Sequence, residues 1–352
     1  MDYGRSEAKA AARERFSGLW AATTTPFDDA GQLDEVGLAA DMDRLTGELG
    51  VDGVFCAGVM SEFWALSATE RHRLVTAVVA AARGKCQVIA HTGHHSVTET
   101  IELTRQAEAA GADFAVVINP YYPQADDDGL YDWFAWVCRN VSIGIWLFDT
   151  RYAGVSLSLP LIDRLADIEN VCGIKVGRDH ERYLDVLRKV GDRILVCEPN
   201  EGTWLENMLD HGQRVFMSSA APYLYQVPGW RPMREYTELA LAGSTVRAAE
   251  VAATLEPVRA VAATWLHGEA ARRRGSPVPY IKAWAGLLGM SGGPVRPPLT
   301  QVSPSDLAAL AADLDAVGLP WADLVFPPHP DLQADLATPR VIGPEATGSM
   351  EP

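Results

Sequence analysis

The feature that most constrains this chain is an alternation of short apolar runs with longer amphipathic segments, sustained over some 240 residues. The runs are GLWAATTTPF (18–27), DGVFCAG (52–58), CQVIAHT (86–92), DFAVVINP (113–120), IGIWLFD (143–149), NVCGIKV (170–176), RILVCEP (193–199) and RVFMSS (214–219). They are nearly continuous in apolar residues rather than alternating, which predicts strands buried on both faces and hence a parallel sheet. The segments between them carry helix signals: Ser67, Ser96 and Asp179 as starts, and Gly50, Gly84 and Gly111 as stops. Eight strand–helix pairs fit a closed (β/α)8 TIM barrel, an α/β fold. An open doubly wound sheet is the rival, although no GxGxxG follows the first run.

Division of the 352 residues follows from this pattern: an N-terminal tail (1–15), the barrel (16–230), a C-terminal helical extension (231–325) and a Pro-rich tail (326–352). The extension is expected to hold helices near 231–242, 245–267, 279–289 and 304–317. With 48% hydrophobic and 22% charged residues the chain is neither disordered nor a mini-protein. Its 46 acidic residues against 30 basic ones, a formal charge of −16, argue against nucleic acid or an anionic membrane as partner. Five scattered cysteines without CxxC spacing suit a reducing cytoplasm rather than a disulfide framework or a zinc cluster. The charged start lacks the apolar core of a signal peptide, and no apolar run reaches the ~18 residues of a membrane span. A cytoplasmic protein is therefore expected.

In a barrel of this kind the chemistry sits where strands end. Of only five lysines, Lys175 lies inside VCGIKVG, a run apolar enough to be buried. Desolvation there favours the neutral amine, a nucleophile toward carbonyl groups. The bland alternative is a lysine reaching solvent or pairing with Glu198 on the next strand. Lys282, beside Tyr280 and Trp284, is a second candidate for burial.

Taken together, TTTPFDDAGQLD, the G-x-x-x-E of Gly58–Glu62, NPYYPQADDDGLYDWF (119–134), GIKVGRD (173–179) and GGPVRPPLTQVSP (292–304) make the chain resemble the dihydrodipicolinate synthase / N-acetylneuraminate lyase family. The likeness runs from about Phe16 to Leu319. It implies a barrel with a C-terminal helical extension, assembled as a homo-oligomer (dimer or tetramer). It also implies an imine between Lys175 and pyruvate or another 2-oxo acid, with neither metal nor organic cofactor.

Departures from the family pattern shape the functional expectation. The usual G-T-T-G-E reads Gly58-Val59-Met60-Ser61-Glu62, so Ser61 is the only local hydroxyl, although the loop's backbone N–H groups remain able to bind a carboxylate. Phe148 stands where the family places an acid/base tyrosine, and Asp149 where asparagine is common. Tyr122 matches the tyrosine that crosses the dimer interface, and Arg151 the arginine that reads a distal carboxylate. His91, His94 and His95 replace small and polar residues; His91, given a near-neutral pKa, is the expected substitute acid/base. A metal on this HxxHH turn is disfavoured because it has no carboxylate partner in sequence. Glu198, Asn200, Ser218 and Ser219 are the expected polar contacts to substrate, and Tyr223, Tyr225 and Trp230 an aromatic wall. Three functions follow: an aldolase or dehydratase acting through Lys175, the synthase that condenses pyruvate with aspartate semialdehyde, or a non-catalytic binding barrel.

Overall fold

A computed structural model describes residues 2–122, 124–217 and 219–318. Its strands are β1 (Gly18–Ala22), β2 (Gly53–Cys56), β3 (Gln87–His91), β4 (Phe114–Ile118), β5 (Gly144–Thr150), β6 (Val171–Gly177), β7 (Leu195–Cys197) and β8 (Val215–Met217), each within the run read from sequence except that β5 and β6 extend one residue beyond it. All pair in parallel with the next from β1 to β7, and β8 pairs back onto β1 through Gly18↔Val215 and Trp20↔Met217. This is the (β/α)8 barrel. Among the described residues no ladder joins β7 to β8, so the cylinder has a seam there.

The helices of the chain, in order, begin with α1 (Ala8–Arg15), α2 (Glu35–Asp43), α3 (Ala68–Ala82), α4 (Val97–Ala110) and α5 (Asp127–Arg139). Next come α6 (Leu159–Leu165), α7 (His180–Val190), α8 (Trp204–His211) and the short α9 (Ala221–Leu224). The C-terminal region adds α10 (Pro232–Leu241), α11 (Thr245–Ala253), α12 (Glu256–Trp265), α13 (Glu269–Arg273), α14 (Val278–Leu287) and α15 (Pro304–Ala316). Ser67, Ser96 and Asp179 each accept a hydrogen bond from the amide three residues on, and Gly111 closes α4 at φ 99°, as the sequence signals predict. The expected single helix at 245–267 is two, because Pro257 in the first turn of α12 has no N–H to continue α11. No helix among the described residues is long and apolar enough to cross a membrane.

Strand alternation sorts the core into two layers. Outward residues such as Ile145, Leu147, Ile174 and Val176 meet the helices. Inward ones (Trp20, Phe55, Ile89, Phe114, Trp146, Phe148, Cys197, Met217) fill the cylinder. Bulk faces void in this filling. A Cβ on Gly53 would lie 2.2 Å from the Trp20 ring and one on Gly173 2.6 Å from Trp146, so glycine is required at both.

The segment 1–15, expected to be a tail, carries in its described residues an amphipathic closure of the barrel floor. Ala8, Ala11 and Ala12 of α1 are buried, Phe16 stacks on Trp20 at 4.3 Å, and the Tyr3 hydroxyl donates to the Asp113 carbonyl. A stripe this short, built from alanine, has little apolar periodicity to read. The Pro-rich tail (326–352) lies outside the described residues.

Candidate active site

Alternation carries Lys175 to the inward face of β6 near its end, level with Phe148 on β5 and Cys197 on β7. A register shift between Ile145 and Trp146 sets this phase. The side chain is 4% exposed, with Nζ 4.7 Å from the centre of the Phe55 ring and 4.9 Å from that of Phe148. Burial lowers its pKa from 10.5 to about 8. At neutral pH roughly a tenth of the amine is then unprotonated, against about one part in a few thousand for a free lysine.

Phe55 is the hub of the surrounding wall. Phe148 meets it edge to face at 6.3 Å and His91 at 6.4 Å, and Gly58 lies close enough that a Cβ there would touch its ring at 2.7 Å. The loop that begins at Gly58 is thereby held beside the lysine. Ala57 and Glu62 bracket it with left-handed backbone, φ 55° at each. Glu62, fully buried, fixes its far end by accepting from Lys282 Nζ at 3.1 Å and from the Arg296 amide at 2.9 Å. Ser61 donates its hydroxyl to the Thr23 carbonyl at 2.6 Å, and Thr25 donates to the Ser61 carbonyl at 2.8 Å. Ser61 is thus engaged in holding the loop. Val59 is buried against the inner core and Met60 packs beside it, while the amides of both make no hydrogen bond among the described residues.

His91 ends β3 facing inward, 2% exposed, its ring 4.6 Å from that of Phe63. The near-neutral pKa expected from sequence does not hold. Burial, reinforced by the charge of Arg71, pushes it well below 6.5, so the imidazole is neutral. Arg71 was not anticipated. From α3 it donates to the carbonyls of His91 (2.8 Å) and Gly93 (3.1 Å), and its Nη2 lies 3.3 Å from His91 Nδ1. Its position on one helical face with Leu74, Val75 and Val78 was the available signal of a buried arginine.

The remaining candidates divide by which way their strands turn them. Asp149 follows inward Phe148 and so points outward; its carboxylate meets Arg178 at 2.9 Å and Arg182 at 3.3 Å. Glu198 follows inward Cys197 and likewise faces the helices, accepting from His180 Nδ1, Thr203 Oγ1 and Asn207 Nδ2 at 2.8–2.9 Å. Both carboxylates organise loops outside the cylinder. Asn200 is exposed and caps the turn at Glu201–Thr203. Ser219 receives the Ala221 amide at 3.4 Å, and Ser218 lies outside the described residues. Arg151 stands exposed in the turn after β5, its guanidinium 5.6 Å from the Tyr152 ring. Tyr122 is 78% exposed at the rim, and Tyr121 beside it 36%. Tyr223 and Tyr225 are buried, the former donating to the Ala22 carbonyl, so they are core rather than wall; Trp230 is partly buried.

Comparison with known proteins agrees with this architecture. The model of the dihydrodipicolinate synthetase family matches residues 15–317. A 4-hydroxy-tetrahydrodipicolinate synthase of Alkalilimnicola ehrlichii is 32% identical over 291 residues, 82% of this chain and 94% of the relative. A probable 5-dehydro-4-deoxyglucarate dehydratase of Bradyrhizobium diazoefficiens is 31% identical over 300 residues, 84% of this chain and 90% of the relative. Among solved structures, dihydrodipicolinate synthase from Aquifex aeolicus superposes with a TM-score of 0.75 at 28% identity, covering 87% of this chain and 99% of that one. A prophage protein of the same family from E. coli K12, in complex with pyruvate, gives 0.75 at 27% identity over 86% of this chain and 99% of that one. The eight-stranded barrel with its inward lysine, the strained loop after β2 and the match over 15–317 place this chain in the dihydrodipicolinate synthetase family, as a lyase of the class I aldolase type.

Proposed function

We propose that the protein condenses Lys175 with pyruvate or another 2-oxo acid and uses the imine for aldol cleavage or dehydration. The observation that carries this reading is the Lys175 amine, buried over two aromatic rings, with its pKa drawn down to about 8. The neutral amine attacks the 2-oxo carbon; loss of water gives an imine whose C=N accepts the electron pair of an adjacent breaking bond. Cleavage of a C–C bond releases an aldehyde and leaves an enamine; expulsion of a β-hydroxyl, after proton loss, releases water. Protonation and hydrolysis then free the lysine. The Val59 and Met60 amides suit the carboxylate of the bound 2-oxo acid, since neither has a partner among the described residues. His91, neutral in its pocket, suits a hydrogen-bonding role toward the reacting oxygen rather than that of a titrating base.

Condensation of pyruvate with aspartate semialdehyde is the second reading, favoured by the synthases among the relatives and by the exposed Tyr122. Against it stand Phe148, which cannot carry a proton, and Ser61, whose hydroxyl is engaged by the Thr23 carbonyl. The exposure of Tyr122 also suits a homo-oligomer, dimer or tetramer, in which this rim is covered. The test is turnover of the full-length protein on hydroxylated 2-oxo acids, 2-oxo acid aldols, and pyruvate with aspartate semialdehyde. We expect cleavage or dehydration that Lys175→Met abolishes, and negligible condensation both before and after Phe148→Tyr. Condensation as the main activity would establish the second reading; no turnover on any of the three would favour a non-catalytic barrel.

A further inference from the structure

On the outer wall of the barrel, away from Lys175, a second group of side chains is gathered by α7 and α8. His180 opens α7, His211 ends α8, and Glu206 lies in the first turn of α8. One ligand atom from each lies within 4.8 Å of the other two; His180 Nε2 and Glu206 Oε1 are 3.9 Å apart. The His180 and His211 rings are 5.9 Å apart, and both lie against Tyr183 of α7. A divalent transition ion held at ~2.0–2.2 Å by imidazole and carboxylate draws its ligand atoms to within about 3.5 Å of each other. Swings of about 1 Å close that gap, and Glu206, 55% exposed on its side chain, is free to make one.

The independent observation is Glu198. This carboxylate is 2% exposed, is pinned by Thr203 Oγ1 (2.8 Å) and Asn207 Nδ2 (2.9 Å), and lies 2.9 Å from His180 Nδ1. A carboxylate only accepts, so Nδ1 carries the hydrogen and Nε2 is the nitrogen turned toward Glu206 and His211. A buried carboxylate that fixes the tautomer and orientation of an outward imidazole is the arrangement found behind metal-bound histidines.

We propose that His180, Glu206 and His211 bind one divalent transition ion of the zinc type, with water completing its shell, and that the ion clamps α7 to α8. The helices it would join flank β7, the strand that no ladder ties to β8 among the described residues. The clamp therefore falls at the seam of the cylinder, and it acts on β7, whose Cys197 stands level with Lys175. The HxxHH turn is a separate place: its His94 Nδ1 already accepts the Ser96 amide.

The experiment is calorimetric titration of the chelator-stripped full-length protein with ZnCl2 and, separately, NiCl2, together with melting curves. We expect one equivalent bound, weakened at least about 100-fold by His180→Ala or His211→Ala, and about 10-fold or more by Glu198→Gln. Zinc at a hundredfold excess over its dissociation constant raises the melting temperature of the wild type by about 4 °C and leaves that of His211→Ala unchanged. His211 lies at a half-exposed helix end, so its loss leaves the fold intact, and His94→Ala/His95→Ala serves as the control that should bind as the wild type does. Absence of stoichiometric binding, or binding that survives both His180→Ala and His211→Ala, would overturn the proposal.

Discussion

Two lysines of this barrel are almost wholly buried, and their surroundings differ in kind. Lys282, on α14, is 2% exposed and directs its three N–H groups to Glu62 Oε1 (3.1 Å), the Thr25 carbonyl (2.9 Å) and the Pro294 carbonyl (2.5 Å). Burial lowers its pKa to about 8, as it does that of Lys175, with the Glu62 charge opposing the drop. Each of its three N–H groups has an acceptor, which ties the amine in place. Lys175, 4% exposed, lies over two aromatic faces inside the cylinder, and burial is the main cause of its shift too. Depth alone thus does not make a nucleophile. A carboxylate and two carbonyls make Lys282 a tie between the β2 loop and the C-terminal helices, whereas Lys175 stands on the inward face of β6 beside the aromatic wall and the β2 loop.

The largest expected effect separates the two by stability. Glu62→Gln leaves the Lys282 charge without its counterion and should cost about 3–5 kcal/mol in denaturant unfolding, much of which the double change Glu62→Gln/Lys282→Met restores. Lys175→Met should leave stability unchanged or raise it, since a buried amine gives way to an apolar chain. Equal losses at the two lysines would break the contrast. Next in size, His91→Ala should lower kcat by about 100-fold while imine formation proceeds. Because His91 is neutral throughout, the wild-type rate profile should lack a limb near pH 6.5; such a limb would show a titrating imidazole.

A smaller effect concerns pH. Since the Lys175 pKa is lowered, the reactive neutral amine accumulates as pH rises toward that value. The imine-formation rate should therefore climb about tenfold per unit from pH 6 to 7 and level off above about pH 8. A climb that continues to pH 10 would give Lys175 the behaviour of an exposed lysine. Smallest is Phe148→Tyr, for which rates within about twofold are expected because a hydroxyl there lacks the partners of a proton relay.

What was legible in the sequence follows the range of the forces involved. Strand burial, capping at Ser67, Ser96 and Asp179, and the placing of Lys175 in an apolar run are local, and the structure has them where the residues indicated. Period-two alternation is equally local and turns Asp149 and Glu198 away from the site: each follows an inward residue and so faces the helices, where it organises arginines or a histidine. The Arg71 grip on the His91 carbonyl and the Glu62–Lys282 pair join residues 20 and 220 positions apart. No spacing rule reaches such pairs; only the closed barrel brings them together. The floor helix α1 escaped notice because alanine packs well without announcing a hydrophobic stripe.

The central claim is that Lys175, and not Lys282, is the imine-forming amine. Borohydride reduction of the full-length protein in the presence of pyruvate and other 2-oxo acids, followed by peptide mass mapping, tests it directly. The account predicts a reduced adduct on the peptide that holds Lys175, absent in Lys175→Met, with the Lys282 peptide unmodified. An adduct on Lys282, or none on Lys175 with any 2-oxo acid, would contradict it.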